Sequence, residues 1–344
     1  MSKKPLVRVI AALTVSFLFI YTLSVVKSGP GVAADFDCLE QSKPKTVAID
    51  VSVGETGLEI ARELFDKSVI ASSEAFFRLA VVDPKAQLIA PGVHLIDIKI
   101  CAQQALEQLL DNKRIAGLIA VADGAWVSEI KKSFVRAGYP QKEVTAAFAS
   151  VEIPQPFNKL EGLLFPAQYS FAQGTKADEA LAAMVSRGVT EMEKAGFFSE
   201  SSKYSPQELL TIASIIQAEG GSGDFTKVSR VIYNRLKIGM PLQMDSTVHF
   251  VMEQRGDIFL STKSTLINSP YNTYRKYGLP PGPIGNPGAS ALKAALAPEP
   301  GDWLYFITVA PQDTRFTTSL DEFSTWKVLY KKNLRAGKFE AGND

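Results

Sequence analysis

Cysteine and histidine are scarce in this chain of 344 residues, with two of each: Cys38, Cys101, His94 and His249. A zinc site, or a Ser/His or Cys/His catalytic set, would have to be built from these few parts. Neither histidine sits in a motif with metal-ligand or nucleophile spacing, so no metal and no organic cofactor is expected. Acid–base chemistry falls mainly to carboxylates. An excess of one charge is also missing: 37 basic residues stand against 36 acidic ones, a formal net charge of +1. That balance argues against a nucleic-acid partner, which basic runs would serve. The lysine-rich tail (Lys327, Lys331, Lys332, Arg335 and Lys338) reads as a solvated helix face. No internal repeat or low-complexity run stands out.

One long apolar run is present. Residues 9–26 (VIAALTVSFLFIYTLSVV) carry no charge, and as a helix they would span about 27 Å, close to a bilayer core of ~30 Å. Lys3, Lys4 and Arg8 precede the run, while only Lys27 follows closely. The positive-inside bias therefore predicts a single-pass anchor in the cytoplasmic membrane, with residues 1–27 as cytoplasmic stub and transmembrane anchor and the rest outside. The competing reading is a cleaved signal peptide, because Val32-Ala33-Ala34 resembles a cleavage site. Outside the cytosol Cys38 and Cys101 could bridge, or they could be two buried thiols.

Beyond the anchor, residues 28–46 read as a Gly/Pro-rich stalk. An alternating strand pattern at Val47–Val53 is followed by helices with Leu58, Ala61, Leu64 and Phe65 on one face and around Ser73–Ala80. A strand near His94–Ile98 then closes a small unit over 47–100. Helix Ala102–Asp111, strand Gly117–Val121, helix Val127–Ala137 and a long helix Lys176–Ala195 follow, with a weaker signal from 140 to 175. The fold class is α+β, and 101–344 is expected to form the mixed second domain.

Ser205-Pro206-Gln207-Glu208 is a capping box with proline at the first helical position. The helix continues as LLTIASIIQAE and meets Gly220-Gly221-Ser222-Gly223, a stop signal. At 100° per residue, Leu209, Ile212, Ile215 and Ile216 share a face, and Glu219 falls within about 20° of Ile212. A carboxylate in an apolar stripe is costly unless it is paired or opens to a cleft. Apolar surroundings and the negative helix end both raise its pKa, giving a protonated acid near neutral pH. Glycosidic cleavage needs such an acid. A buried ion pair to Arg230 or Arg235 is the plainer alternative.

Residues 211–319 resemble the endolytic murein transglycosylase (YceG-like) family. The resemblance rests on TIASIIQAE, VSRVIYNRLKIGMPLQMDSTVHF, SPYNTYRKYGLPPGPIGNPGASALKAALAP, WLYFITV and FTTSL, with EGLLFPAQYSF at 161–171. Residues 47–100 look, more faintly, like the family's LysM-like module. The resemblance implies cleavage of the MurNAc-β-1,4-GlcNAc bond of nascent peptidoglycan strands, leaving 1,6-anhydro ends. It also implies peptidoglycan synthases as partners, with cutting that sets strand length. The family's essential glutamate corresponds to Glu219, whereas the first acid of its Glu-x-Glu pair is Gln217 here. One acid suffices for this chemistry: a hydrolase needs a second carboxylate, but here the substrate's own 6-hydroxyl attacks.

Supporting groups are expected at Gln243 and Asp245, on a strand edge facing the cleft. Asn272 and Tyr274 would contact sugar through an amide and an aromatic face. Glu161 is a second buried acid with a structural or supporting role. The stiff loop Gly278–Ile284 is expected to shape one cleft wall. A hydrolytic muramidase and a non-catalytic glycan-binding or scaffold protein are the alternatives.

Overall fold

A computed structural model describes residues 33–38, 45–52, 54–171, 174–200, 202–255, 260 and 263–339. The apolar run at 9–26 lies outside them. Among the described residues no helix is long and apolar enough to cross a membrane. These residues form a mixed α+β structure with three small antiparallel sheets, divided into two compact units, the first ending at Ala116 and the second beginning at Gly117.

In the first unit, β1 (Thr46–Val51) and β2 (Gly92–Asp97) pair antiparallel, with Ile49 opposite His94, and β2 continues onto the short β3 (Ile115–Ala116). Helices α1 (Gly57–Asp66), α2 (Ser73–Val82) and α3 (Ala102–Leu110) contribute to the same core. The capping box Thr56/Glu59 starts α1, and the Ser72 hydroxyl caps α2. Ile49, Leu64, Phe76, Ile96 and Leu106 meet in that core. The unit runs past residue 100, where the sequence places the end of the module, because α3 buries Ala105, Leu106 and Leu109 in it. Cys38 and Cys101 form a disulfide with Cα atoms 5.1 Å apart. The Asp35 carboxylate accepts from Ala102 N–H at the start of α3, 3.1 Å from each oxygen. The segment before the bridge is thus tied to a helix N-terminus by charge as well as covalently.

The second unit begins with β4 (Ile119–Val121), paired antiparallel with β5 (Ala167–Tyr169). Between them lie α4 (Val127–Arg136) and α5 (Gln141–Ser150). Helix α5 occupies the stretch where the sequence signal is weak. The long α6 (Ala177–Ala195) crosses the segment around Leu163 at Gly188, where a Cβ would lie 1.9 Å from the Leu163 carbonyl oxygen. Only glycine permits that approach.

Helix α7 (Pro206–Glu219) starts at the expected capping box, and its residues from Leu209 to Ile216 are all buried. It is the central helix of this core, covered on every side, so its apolar content exceeds a single stripe. Around it lie α8 (Phe225–Lys237), α9 (Asp245–Met252) and α10 (Ala289–Leu296). The hairpin β6 (Tyr305–Ala310) and β7 (Asp313–Thr317) is followed by α11 (Leu320–Arg335), which packs on β6. Tyr305 stacks on Phe323 at 5.3 Å, and the buried Asn333 amide donates to Val309 O at 2.7 Å.

Candidate active site

Glu219 is the last residue of α7, followed by the helix-ending Gly220. Its carboxyl lines a cavity of about 690 Å³, within the range of small-ligand sites. Burial raises its pKa above the ordinary carboxylate value, hydrogen bonding from Ser246 pulls it down, Asp245 pushes it up, and Arg235 pulls it down. The Ser246 backbone N–H donates to Oε1 at 3.0 Å. Burial thus favours the protonated acid, while a donor and a cation stand ready to stabilise the carboxylate that proton transfer leaves.

No ion pair joins Glu219 to either arginine considered as its partner. Arg230 donates to the Glu299 carbonyl at 2.5 Å and the Pro298 carbonyl at 3.1 Å. Arg235 is buried and donates to the carbonyls of Leu304, at 2.7 Å, and Leu242. It lines the Glu219 cavity and ties α8 to the start of β6 and to the loop before α9. Burial lowers its pKa, with Tyr305, Glu219 and Tyr274 acting in the opposite direction.

Gln243 and Asp245 line the same cavity. They do not lie on a strand edge. Gln243 is a loop residue at φ 48°, and Asp245 opens α9. The reason is long-range: Gln243 N–H donates to the Thr273 carbonyl at 3.1 Å and Met244 N–H to the Thr273 hydroxyl at 2.9 Å. These bonds pin the loop and aim the α9 N-terminus at Glu219. The Tyr274 hydroxyl, also in the cavity, donates to Asp245. Burial first, then the Asp245 contact, raises the Tyr274 pKa and keeps the phenol protonated.

Asn272 is fully buried and away from the cavity wall. Its amide donates to the Thr265 and Ile267 carbonyls at 3.0 and 2.8 Å, and its oxygen accepts from Tyr274 N–H at 3.0 Å. It sets the turn that presents Tyr274. Glu161 is elsewhere too: its oxygens each lie 3.2 Å from Val127 N–H at the start of α4, and Asn286 Nδ2 donates at 3.1 Å. Burial pushes its pKa up to about 7, against the Val127 bond and Arg255. The Gly278–Ile284 loop is absent from the cavity wall. At its end, Ile284 N–H donates to the Ser214 hydroxyl of α7 at 3.0 Å.

Gln217 faces away from Glu219, as two residues of a helix must. Its carbonyl accepts from Gly288 N–H at 3.0 Å, and it lines a separate cavity of about 510 Å³ beside Asp123. Of the two histidines, His94 is buried in the first unit with Nε2 2.7 Å from the Ala90 carbonyl, and His249 lies on α9. No cluster of potential metal ligands occurs among the described residues.

Sequence reasoning missed the part of the cavity wall that β6 and α11 supply. Phe306, Ile307 and Thr308 of β6 form part of it, and Phe323, Lys327, Tyr330 and Lys331 of α11 complete it. The WLYFITV block contains the β6 part of this wall and FTTSL leads into α11, which was the available signal.

Residues 49–327 match the profile of the YceG-like family. A protein of Bacillus subtilis (strain 168) named endolytic murein transglycosylase is 32% identical over 314 residues, covering 85% of this chain and 87% of that relative. One of the same name from Streptococcus pneumoniae serotype 2 is 35% identical over 163 residues, covering 43% of this chain and 28% of the relative. The crystal structure of a YceG-like protein from Listeria monocytogenes aligns with a TM-score of 0.57 at 25% identity, covering 81% of this chain and 98% of that one.

Proposed function

The chain belongs to the YceG-like family, and on that premise we propose that it is an endolytic lytic transglycosylase of peptidoglycan with Glu219 as its acid. The observation that carries the reading is a carboxyl at the end of a buried helix, its pKa raised by burial, that opens into a cavity and faces a backbone donor.

The substrate is the MurNAc-β-1,4-GlcNAc bond within a strand. Glu219 gives its proton to the bridging 4-oxygen, and the bond to the MurNAc anomeric carbon breaks. The 6-hydroxyl of the same MurNAc attacks that carbon, and the Glu219 carboxylate takes the hydroxyl proton. Water is not consumed, and the products are a GlcNAc 4-hydroxyl and a 1,6-anhydroMurNAc end. Ser246 N–H and Arg235 stabilise the transient carboxylate. Gln243, Asp245 and Tyr274 offer polar groups to sugar hydroxyl and N-acetyl groups, and Asn272 and Glu161 support the loops.

The run at 9–26 tethers the protein to the cytoplasmic membrane, with the catalytic unit on the outer side beside nascent strands. The first unit acts as the LysM-like glycan-binding module, and peptidoglycan synthases supply the strands whose length the cuts set.

The Asp245 carboxylate in the same cavity supports a second reading, hydrolysis of the same bond with Asp245 serving a water. Digesting strands in H₂¹⁸O separates the two. Transglycosylation gives anhydro ends without the label, and hydrolysis gives labelled reducing ends.

A further inference from the structure

Two lysines line the Glu219 cavity from α11: Lys327 and Lys331, one helical turn apart, while Glu219, the buried Arg235 and Asp245 line it from α7, α8 and α9. Such i,i+4 neighbours project from one face. Both lysines are exposed, and neither forms an ion pair among the described residues. The Lys327 ammonium lies 5.5 Å from the centre of the Phe323 ring, which lines the cavity too. The wall is fixed in place by the Tyr305–Phe323 stack and the Asn333–Val309 bond, so these cations hang from a braced helix. Lys332, also exposed, does not line the cavity.

A glycan backbone of N-acetylated sugars offers a lysine no charge. The anionic groups of a peptidoglycan strand are the carboxylates carried by its muramic acid units. When Glu219 protonates the scissile oxygen, the reacting MurNAc sits in this cavity, and its 3-O substituent must lie along a wall or at the mouth. We propose that Lys327 and Lys331 form a carboxylate subsite that receives the stem peptide of the reacting MurNAc, so that the enzyme selects peptide-bearing strands. The inference rests on the reading of the cavity as a peptidoglycan site and adds a determinant of which strands are cut.

The full chain is given three strands: native peptide-bearing, the same strand with its carboxyls converted to neutral amides, and peptide-free glycan retaining only the lactyl carboxylate. Cleavage is read as kcat/KM, and affinity is read on a Glu219→Gln background. The wild type is expected to favour the native strand over the amidated one about three- to tenfold, the size that two exposed ion pairs supply. High salt should shrink the preference. In Lys327→Gln/Lys331→Gln the native-to-amidated ratio falls to about one, whereas Lys332→Gln keeps the wild-type ratio. A wild-type ratio of one in affinity, or a preference that survives the double substitution, overturns the proposal. Peptide-free glycan handled as well as the native strand overturns the stem peptide as the ligand and points to the lactyl group. Absence of cleavage on every strand would fail the catalytic reading alone, because the affinity ratios still decide the subsite.

Discussion

The Ser246 backbone N–H, in the first turn of α9, donates to Glu219 Oε1 at 3.0 Å, so the end of one helix meets the start of another at the candidate acid. The two helix termini act oppositely on the carboxyl. The carbonyl end of α7 favours its neutral form and the amide end of α9 its charged form. Burial tips the balance toward the proton.

This balance is adjustable through Asp245, whose charge helps hold the Glu219 pKa up. Glu219 must begin the reaction protonated, so kcat/KM falls as pH rises through its raised pKa. In Asp245→Asn that contribution is gone, the Glu219 pKa drops, and the alkaline limb moves to lower pH. A pH–rate profile measures the shift. A limb that stays in place would mean that another group sets it.

Gln217→Ala tests the position where glutamine replaces the first acid of the family pair. Gln217 accepts from Gly288 N–H in its own cavity, away from Glu219. Its loss leaves one backbone donor unpaired, costing about 1 kcal/mol of stability. Activity should remain within about tenfold of wild type. A loss as deep as removal of the Glu219 carboxyl would contradict the assignment of Glu219 as sole acid.

Glu161 makes stability depend on pH. Its folded pKa of about 7 exceeds the ordinary value of 4.5, so the folded state binds the extra proton between those limits. The contribution is full below about pH 4.5 and is lost as pH rises to about 7, a change on the order of 3 kcal/mol. Glu161→Gln keeps an acceptor for Val127 and Asn286 and cannot ionise. Chemical denaturation at a series of pH values should show a flatter profile for the variant over that window, with neutral-pH stability raised. An unchanged slope would place the titration elsewhere.

Local signals carried much of this architecture, and their limits are physical. The Glu219 helix was legible because Ser205, Pro206 and Glu208 start it, Gly220 ends it, and an acid interrupts its apolar residues. Helix α5 was missed because it follows Pro140 without a side-chain cap and buries only Val144, Ala147 and Phe148. Gln243 and Asp245 were chosen for the site but placed on a strand, since the bonds that shape their loop come from Thr273, far along the chain. Asn272 and Tyr274 are neighbours in sequence, yet only Tyr274 reaches the cavity, because the Asn272 amide closes the turn beneath it. Lys327 and Lys331 looked like a solvated face. Helical spacing shows which residues point together but not that they line the same cavity as Glu219.

The most direct test of the account is mass spectrometry of muropeptides released from nascent glycan by the wild type and by Glu219→Gln. The amide is neutral and nearly isosteric with the protonated acid, so fold and strand binding should persist, with stability unchanged or slightly raised. It supplies no readily transferable proton and cannot act as the later base, so 1,6-anhydroMurNAc ends should fall by at least ~10²–10⁴-fold. Near-normal production of anhydro ends by Glu219→Gln would contradict the account.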